Sequence, residues 1–180
     1  MSLINEVMQE VNTVMDMVDP IQLDNAEKVI TKDKRIFVLG AGRSGLMAKG
    51  FAMRLMHIGY TVFVIGETIT PSIKPGDVLV SVSGSGKTGS VLDPTEKAKK
   101  DGVNIVSVTS NGESPLGKLG DAVIVVPGAT KNGDGVKSIQ LLSTLFDQSV
   151  HITLDVLCLK LSRRDNISND AAKAEHSNME

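Results

Sequence analysis

The sequence has no tryptophan, one tyrosine, four phenylalanines and one cysteine in 180 residues. So few rings leave almost nothing on which bases could stack or from which a membrane-interface belt could be built. The lone Cys158 forms no internal disulfide and no multi-cysteine zinc site, which argues against an oxidised secreted scaffold or a metal finger. No run reaches the roughly 18 apolar residues of a membrane span, and the first 19 residues lack a basic region ahead of an apolar run. The expectation is a cytoplasmic protein with no membrane partner. An excess of positive charge is missing too: 19 Lys and Arg against 21 Asp and Glu give -2, so no general field favours a nucleic-acid partner. What remains is an aliphatic core, with 41% hydrophobic residues and eight Met, in a length that suits one domain over residues 1–180.

Leu3, Ile4, Val7, Met8, Val11, Val14, Met15 and Val18 recur at steps of three and four, so the spacing predicts an amphipathic helix over 3–18, closed by Asp19-Pro20. A short helix is expected around Asn25 to Thr31. From Arg35 onward, β-rich runs alternate with helical stretches. The strands are read at Arg35 to Leu39, Tyr60 to Ile65, Asp77 to Val82, Val103 to Val108 and Asp121 to Val126, and the helices at Ser44 to Gly59, Thr88 to Asp101 and Ser114 to Leu119. This is an α/β pattern, a doubly wound five-stranded parallel sheet flanked by helices. Gly66 to Gly76, with Pro71 and Pro75, reads as the loop where strand order reverses, and such switch points hold the ligand sites of open α/β sheets. After a turn-rich stretch, Pro127 to Lys137, an apolar helix is expected from Ser138 to Leu161. Its apolar residues occupy most faces, which argues for cover by further copies of the chain.

Two loops could carry chemistry. Gly40-Ala-Gly-Arg-Ser-Gly45 follows the first strand and opens a helix, as the dinucleotide fingerprint requires, and Glu67 falls about 20 residues on, where a ribose-binding acid would sit. Ser83-Gly-Ser-Gly-Lys-Thr88 follows the third strand and ends like a P-loop, but that motif needs glycine where Ser81 stands. Both loops together could surround one phosphate with hydroxyls, backbone N–H groups and two positive helix ends, with Arg43 and Lys87 offsetting its charge. The plainer reading makes these hydroxyls N-caps and turn residues. Lys97, Lys99, Lys100 and Arg163-Arg164 read as solvated helix ends, and Cys158 as a small buried hydrophobe.

The runs Gly-Ala-Gly-Arg-Ser-Gly-Leu-Met-Ala-Lys (40–49), Phe-Ala-Met-Arg-Leu-Met-His-Ile-Gly (51–59), Gly-Glu-Thr-Ile-Thr-Pro (66–71), Ser-Gly-Ser-Gly (83–86) and the ending His176-Ser-Asn-Met-Glu180 resemble the 6-phospho-3-hexuloisomerases of the sugar isomerase (SIS) domain superfamily. The resemblance implies a tetrameric SIS fold interconverting 3-hexulose 6-phosphate and fructose 6-phosphate in formaldehyde fixation by the ribulose monophosphate pathway, with no metal and no redox cofactor. It implies that Ser44 and the segment Ser83, Gly84, Ser85, Gly86, Lys87 and Thr88 hold the sugar phosphate, and that a carboxylate at the position of Asp147 is the base; Gly42, Arg43 and Arg54 are further candidates for binding the substrate. For an acid near the reacting oxygens the candidates are His176, His57 and Arg54.

The chain departs from the family pattern where Leu141-Leu-Ser-Thr-Leu-Phe-Asp-Gln148 replaces Pro-Met-Gly-x-x-Phe-Glu-Gln, and where Lys87 replaces Glu. Asp147 is thus one methylene shorter than the family residue. Alternatives are another SIS isomerase, acting on arabinose 5-phosphate or a heptose phosphate, and a non-catalytic sugar-phosphate-binding protein. Regulators of that kind join the domain to a helix-turn-helix, whereas the 34 residues before Arg35 carry one amphipathic stripe with no basic recognition surface. The N-terminal helix 3–18 and the tail 165–180 are expected to pack on partner subunits.

Overall fold

The computed structural model describes residues 2–131 and 136–179. Asn132 to Gly135 of the turn-rich loop and the terminal Glu180 lie outside the described residues. The elements run α1 (Leu3–Asp16), α2 (Pro20–Val29), β1 (Ile36–Gly40), α3 (Gly42–His57), β2 (Val62–Val64), β3 (Val78–Val82), α4 (Gly89–Lys100), β4 (Asn104–Thr109), α5 (Pro115–Leu119), β5 (Ala122–Val125), α6 (Thr144–Arg164) and α7 (Asn169–Ala174). The five strands form a wholly parallel sheet in the order β2-β1-β3-β4-β5. The order reverses between β1 and β3, across the 66–76 loop. The ligand-binding edge of the sheet is therefore the carboxyl ends of those two strands.

Alternation along the strands supplies two cores. Ile36, Val38, Val78, Val80, Val106 and Val108 point to one face, under α1, α2, α3 and α6, while Phe37, Leu39, Leu79 and Ile105 point to the other, under α4 and α5. Strands buried on both faces are what a parallel sheet requires. The close packing of α3 on β1 depends on glycine: a Cβ on Gly45 would lie 2.7 Å from the Gly40 carbonyl oxygen. Two glycines of the fingerprint-like motif are thereby explained by helix-on-strand packing, with no dinucleotide needed.

One expectation needs correction. The long helix begins at Thr144, not Ser138, because Ser138 and the amides of Ile139 and Gln140 are held by Glu10 of α1 and by Ser138 itself. The tail contains a short helix, α7, which packs on α3 of its own chain. Likewise α1 packs on its own α6 and buries Val11 and Val14. Each such side chain contributes roughly 1.5–3 kcal/mol when fully buried. The faces left open on α1 and α6 carry Leu3, Ile4, Met8, Ile152, Val156 and Leu159.

Candidate functional site

At the switch point the β1–α3 and β3–α4 loops enclose a cleft of about 340 Å³. It is lined by Gly42, Arg43 and Ser44 from the first loop, by Ser83, Gly84, Ser85, Lys87 and Thr88 from the second, and by Thr130, Lys131 and Ser143. Gly86 lies in the second loop but turns away from the cleft toward α5. Thr130, Lys131 and Ser143 were not singled out from sequence. The hydroxyls and cation around a glycine-rich loop entering α6 were the available signal, weak because such residues also fill ordinary turns.

The helix ends separate into two groups. α1, α2, α5 and α7 are each capped by a side chain, from Ser2, Asp19, Ser114 and Ser168. α3, α4 and α6 have no side-chain cap hydrogen bond, and their N-cap region is the cleft wall: Ala41, Thr88 and Ser143. Uncapped N-termini leave unpartnered N–H groups and the positive ends of three helices facing one space, an arrangement suited to an anion. Arg43, Lys87 and Lys131 add positive charge around it.

Beneath this wall lies Asp147, in the first turn of α6 and fully buried. Ser44 Oγ donates to its Oδ1 at 2.6 Å and Ser143 Oγ donates to its Oδ2 at 2.9 Å, while Arg43 Nε stands 3.7 Å from Oδ2. A buried carboxylate is costly without such partners. Ser143 would ordinarily cap α6, but its hydroxyl is spent on Asp147. Leu142, just ahead of it, holds φ at 55°, a conformation strained for a bulky side chain and found here next to the site. Ser44 and Ser143 both line the cleft, so the carboxylate sits one layer behind them.

Part of the hydroxyl set serves the second loop itself. Ser83 Oγ donates to Thr88 Oγ1 at 3.1 Å, and Ser85 Oγ accepts from the Lys87 amide at 3.2 Å. The plainer turn reading thus accounts for some of these residues, but not for the uncapped helices.

Arg54 and His176 are not brought into this cleft within one chain. Arg54 belongs to the last turn of α3, and its Nη1 lies 3.3 Å from Nδ1 of the buried His57. The exposed His176 stacks on His57 with ring centroids 5.1 Å apart. A 1.5 Å rise per residue puts the His57 end of α3 about 20 Å from Ser44. Arg54 lines a different hollow of about 470 Å³ between α3, α6 and α7, with Cys158 and Arg163. Burial there, helped by Asp155, pushes the Cys158 thiol up to about 12, so it is inert as a nucleophile. Glu67 also stays outside the cleft, in a loose pairing with Lys49 at 3.9 Å. Among the described residues no cluster of His, Cys, Asp and Glu could hold a metal ion, and no helix is long and apolar enough to cross a membrane.

Comparison with known proteins agrees with this architecture. The chain is 40% identical over 175 residues to a 3-hexulose-6-phosphate isomerase of Mycobacterium gastri, covering 97% of this chain and 88% of that protein. It is 36% identical to a 3-hexulose-6-phosphate isomerase of Bacillus subtilis, covering 97% and 96%. A crystal structure of a Methanococcus jannaschii protein, for which the function of 3-hexulose-6-phosphate isomerase was inferred, superposes with a TM-score of 0.84 at 31% identity over 98% of both chains. The SIS domain model matches residues 29–152, which hold the whole sheet and the cleft loops, and the chain belongs to the SIS domain family.

Proposed function

We propose that the protein is a cytoplasmic ketose-phosphate isomerase that interconverts 3-hexulose 6-phosphate and fructose 6-phosphate, the step that follows formaldehyde fixation in the ribulose monophosphate pathway. The observation that carries the reading is the Asp147 carboxylate held by Ser44 and Ser143 at the point where three uncapped helix N-termini meet. Its support from outside the chain is the similarity to enzymes of that name over nearly their full length.

The phosphate sits on the N-termini of α3 and α4, with Arg43 and Lys87 beside it. A carboxylate removes the proton from C2, the C3 carbonyl oxygen takes a proton to give the cis-enediol, and reprotonation at C3 with loss of the O2 proton leaves the carbonyl at C2. One base serves both carbons. Asp147 does this once Ser44 turns about χ1, which opens Oδ1 to the cleft. His176 and Arg54 reach reacting oxygens in the cleft of another copy, within a homotetramer built on the open apolar faces of α1 and α6.

The deciding experiment is a coupled assay that supplies 3-hexulose 6-phosphate and follows fructose 6-phosphate, with arabinose 5-phosphate and sedoheptulose 7-phosphate as controls. Turnover of the hexulose alone is the expected result. Turnover of a control instead would assign another sugar phosphate. Saturable binding without any turnover would favour a non-catalytic sugar-phosphate-binding protein, a reading to which the burial of Asp147 behind two hydroxyls lends some weight.

A further inference from the structure

A second group of hydroxyls, at the end of β4, bonds the 83–88 loop without lining the cleft. The Gly84 carbonyl accepts from the Ser110 amide at 3.0 Å, from Ser110 Oγ at 2.7 Å and from Thr109 Oγ1 at 3.2 Å. Two residues on, the Gly86 carbonyl accepts from the Leu116 amide at 3.0 Å. Thr109 and Ser110 are themselves buried. The fit leaves no room for a side chain: Gly86 has φ +62°, and a Cβ there would lie 2.1 Å from Ser114 Oγ.

A carbonyl has two lone pairs, and the backbone amide of Ser110 alone would satisfy one of them. Three donors thus converge on two lone pairs, so the carbonyl is held by one donor more than satisfying a buried acceptor requires. The trans peptide unit is planar, so the Gly84 C=O and the Ser85 N–H point in opposite directions. Fixing the carbonyl toward β4 fixes the Ser85 N–H away from it, and Ser85 lines the cleft. Among the described residues nothing accepts from the Gly84, Ser85 or Thr88 amides. A rotated 84–85 peptide would instead turn its carbonyl oxygen toward the ligand, where it would repel a phosphate.

We propose that Thr109 and Ser110 are positioning residues that clamp the Gly84 carbonyl and thereby aim the Ser85 N–H at the phosphate of the ligand. The proposal rests on the sugar-phosphate reading of the cleft. Neither residue touches the ligand; both act through the loop.

The test compares the parent with Ser110→Ala, the double variant Thr109→Val/Ser110→Ala, and Ser110→Thr, which keeps the hydroxyl. Inorganic phosphate binding is measured by calorimetry, and KM and kcat are measured for fructose 6-phosphate. Each lost hydroxyl bond is expected to weaken phosphate binding roughly 2- to 10-fold. KM should rise by a similar factor while kcat stays within about twofold, and Ser110→Thr should bind phosphate like the parent, as expected when a uniform binding interaction is removed and restored. Unchanged phosphate affinity in Ser110→Ala and in the double variant would overturn the clamp, as would a fall in kcat with KM unaltered. If the double variant does not fold, Ser110→Ala alone decides by the same criteria. A parent that binds inorganic phosphate, loses it on Ser110→Ala, yet turns over no hexulose phosphate would sink the isomerase reading and leave the clamp standing. A parent that binds no phosphate at all would overturn the clamp.

Discussion

Ser44 and Asp147, 103 residues apart in sequence, meet at 2.6 Å, and the contact ties the first turn of α3 to the first turn of α6. Because the carboxylate is fully buried, the hydroxyl stabilises the fold as well as the site. Losing a hydrogen bond to a charged group costs about 1.5–3 kcal/mol. Ser44→Ala should therefore lower Tm by roughly 3 to 12 °C for a chain of this size. Calorimetry that finds the parent's Tm would show that Asp147 draws no stability from Ser44.

Asp147→Asn keeps the shape of the buried group and removes its basicity. If Asp147 is the base, kcat should fall roughly 10² to 10⁴-fold, the usual contribution of acid-base catalysis, with phosphate affinity and oligomeric mass nearly unchanged. Asp147→Glu supplies the longer carboxylate that the family resemblance implies at this position and should keep activity or raise it. An Asn variant that turns over at the parent rate would move the search to His176.

A phosphate in the cleft, and not a dinucleotide, is the proposed ligand, since Glu67 stays outside it and Gly40 and Gly45 serve helix packing. Fructose 6-phosphate at about 100 times its Kd should raise Tm by roughly 5 to 10 °C, from the 2.7 kcal/mol or so that such saturation supplies. NAD at millimolar concentration should leave Tm unchanged. A shift with NAD and none with the sugar phosphate would refute this ligand class.

The sheet was legible because parallel strands buried on both faces write continuous β-branched runs such as Val78 to Val82, and because the glycines and prolines of 66–76 mark the crossover. Both cleft loops were legible for a similar reason, since each follows a strand and opens a helix. The start of α6 was not: Ile139, Leu141 and Leu142 continue the apolar pattern, but Glu10 captures the preceding backbone from across the fold, a tertiary contact no local pattern records. The same holds for Thr130 and Ser143, which reach the cleft through loop geometry. Arg164 does end α6, as its sequence position suggested, and it also bonds the Ile30 carbonyl and the Tyr60 hydroxyl, contacts that no local pattern records.

Leu3, Ile4 and Met8 on α1 and Ile152, Val156 and Leu159 on α6 remain exposed although both helices pack on the same core. These apolar residues form the faces on which the proposed tetramer would be built. Light scattering should report about four times 19.1 kDa, and Ile152→Asp with Val156→Asp should reduce that mass. A single-chain mass for the parent at micromolar concentration would remove the tetramer.

The last expectation concerns pH and the junction where α6 ends. Asp165 accepts from the Tyr60 hydroxyl at 2.7 Å and from Arg164 Nε at 2.9 Å. Partial burial alone would raise its pKa, but the bonds from Arg164 and Tyr60 outweigh it and hold the carboxyl below its ordinary 3.8. The unfolded chain then takes up a proton first as pH falls past about 4, so the stability from this group, complete above that pH, is lost through the acid range below it. Tyr60 moves the other way: burial, then its bond to Asp165, raises it above its ordinary 10.0. Above pH 10 the unfolded chain releases the phenolic proton while the folded chain keeps it, so stability falls again as pH rises. Urea midpoints measured against pH should therefore decline on both sides. Tyr60→Phe should reduce the alkaline limb only in part, because the Cys158 thiol, raised by burial, loses stability over the same range. Asp165→Asn should blunt the acid limb only in part, because Asp121, although burial opposes it, is also held low by the Ile105 amide and Lys99. An alkaline limb unaltered in Tyr60→Phe would show that the junction does not set the pH response.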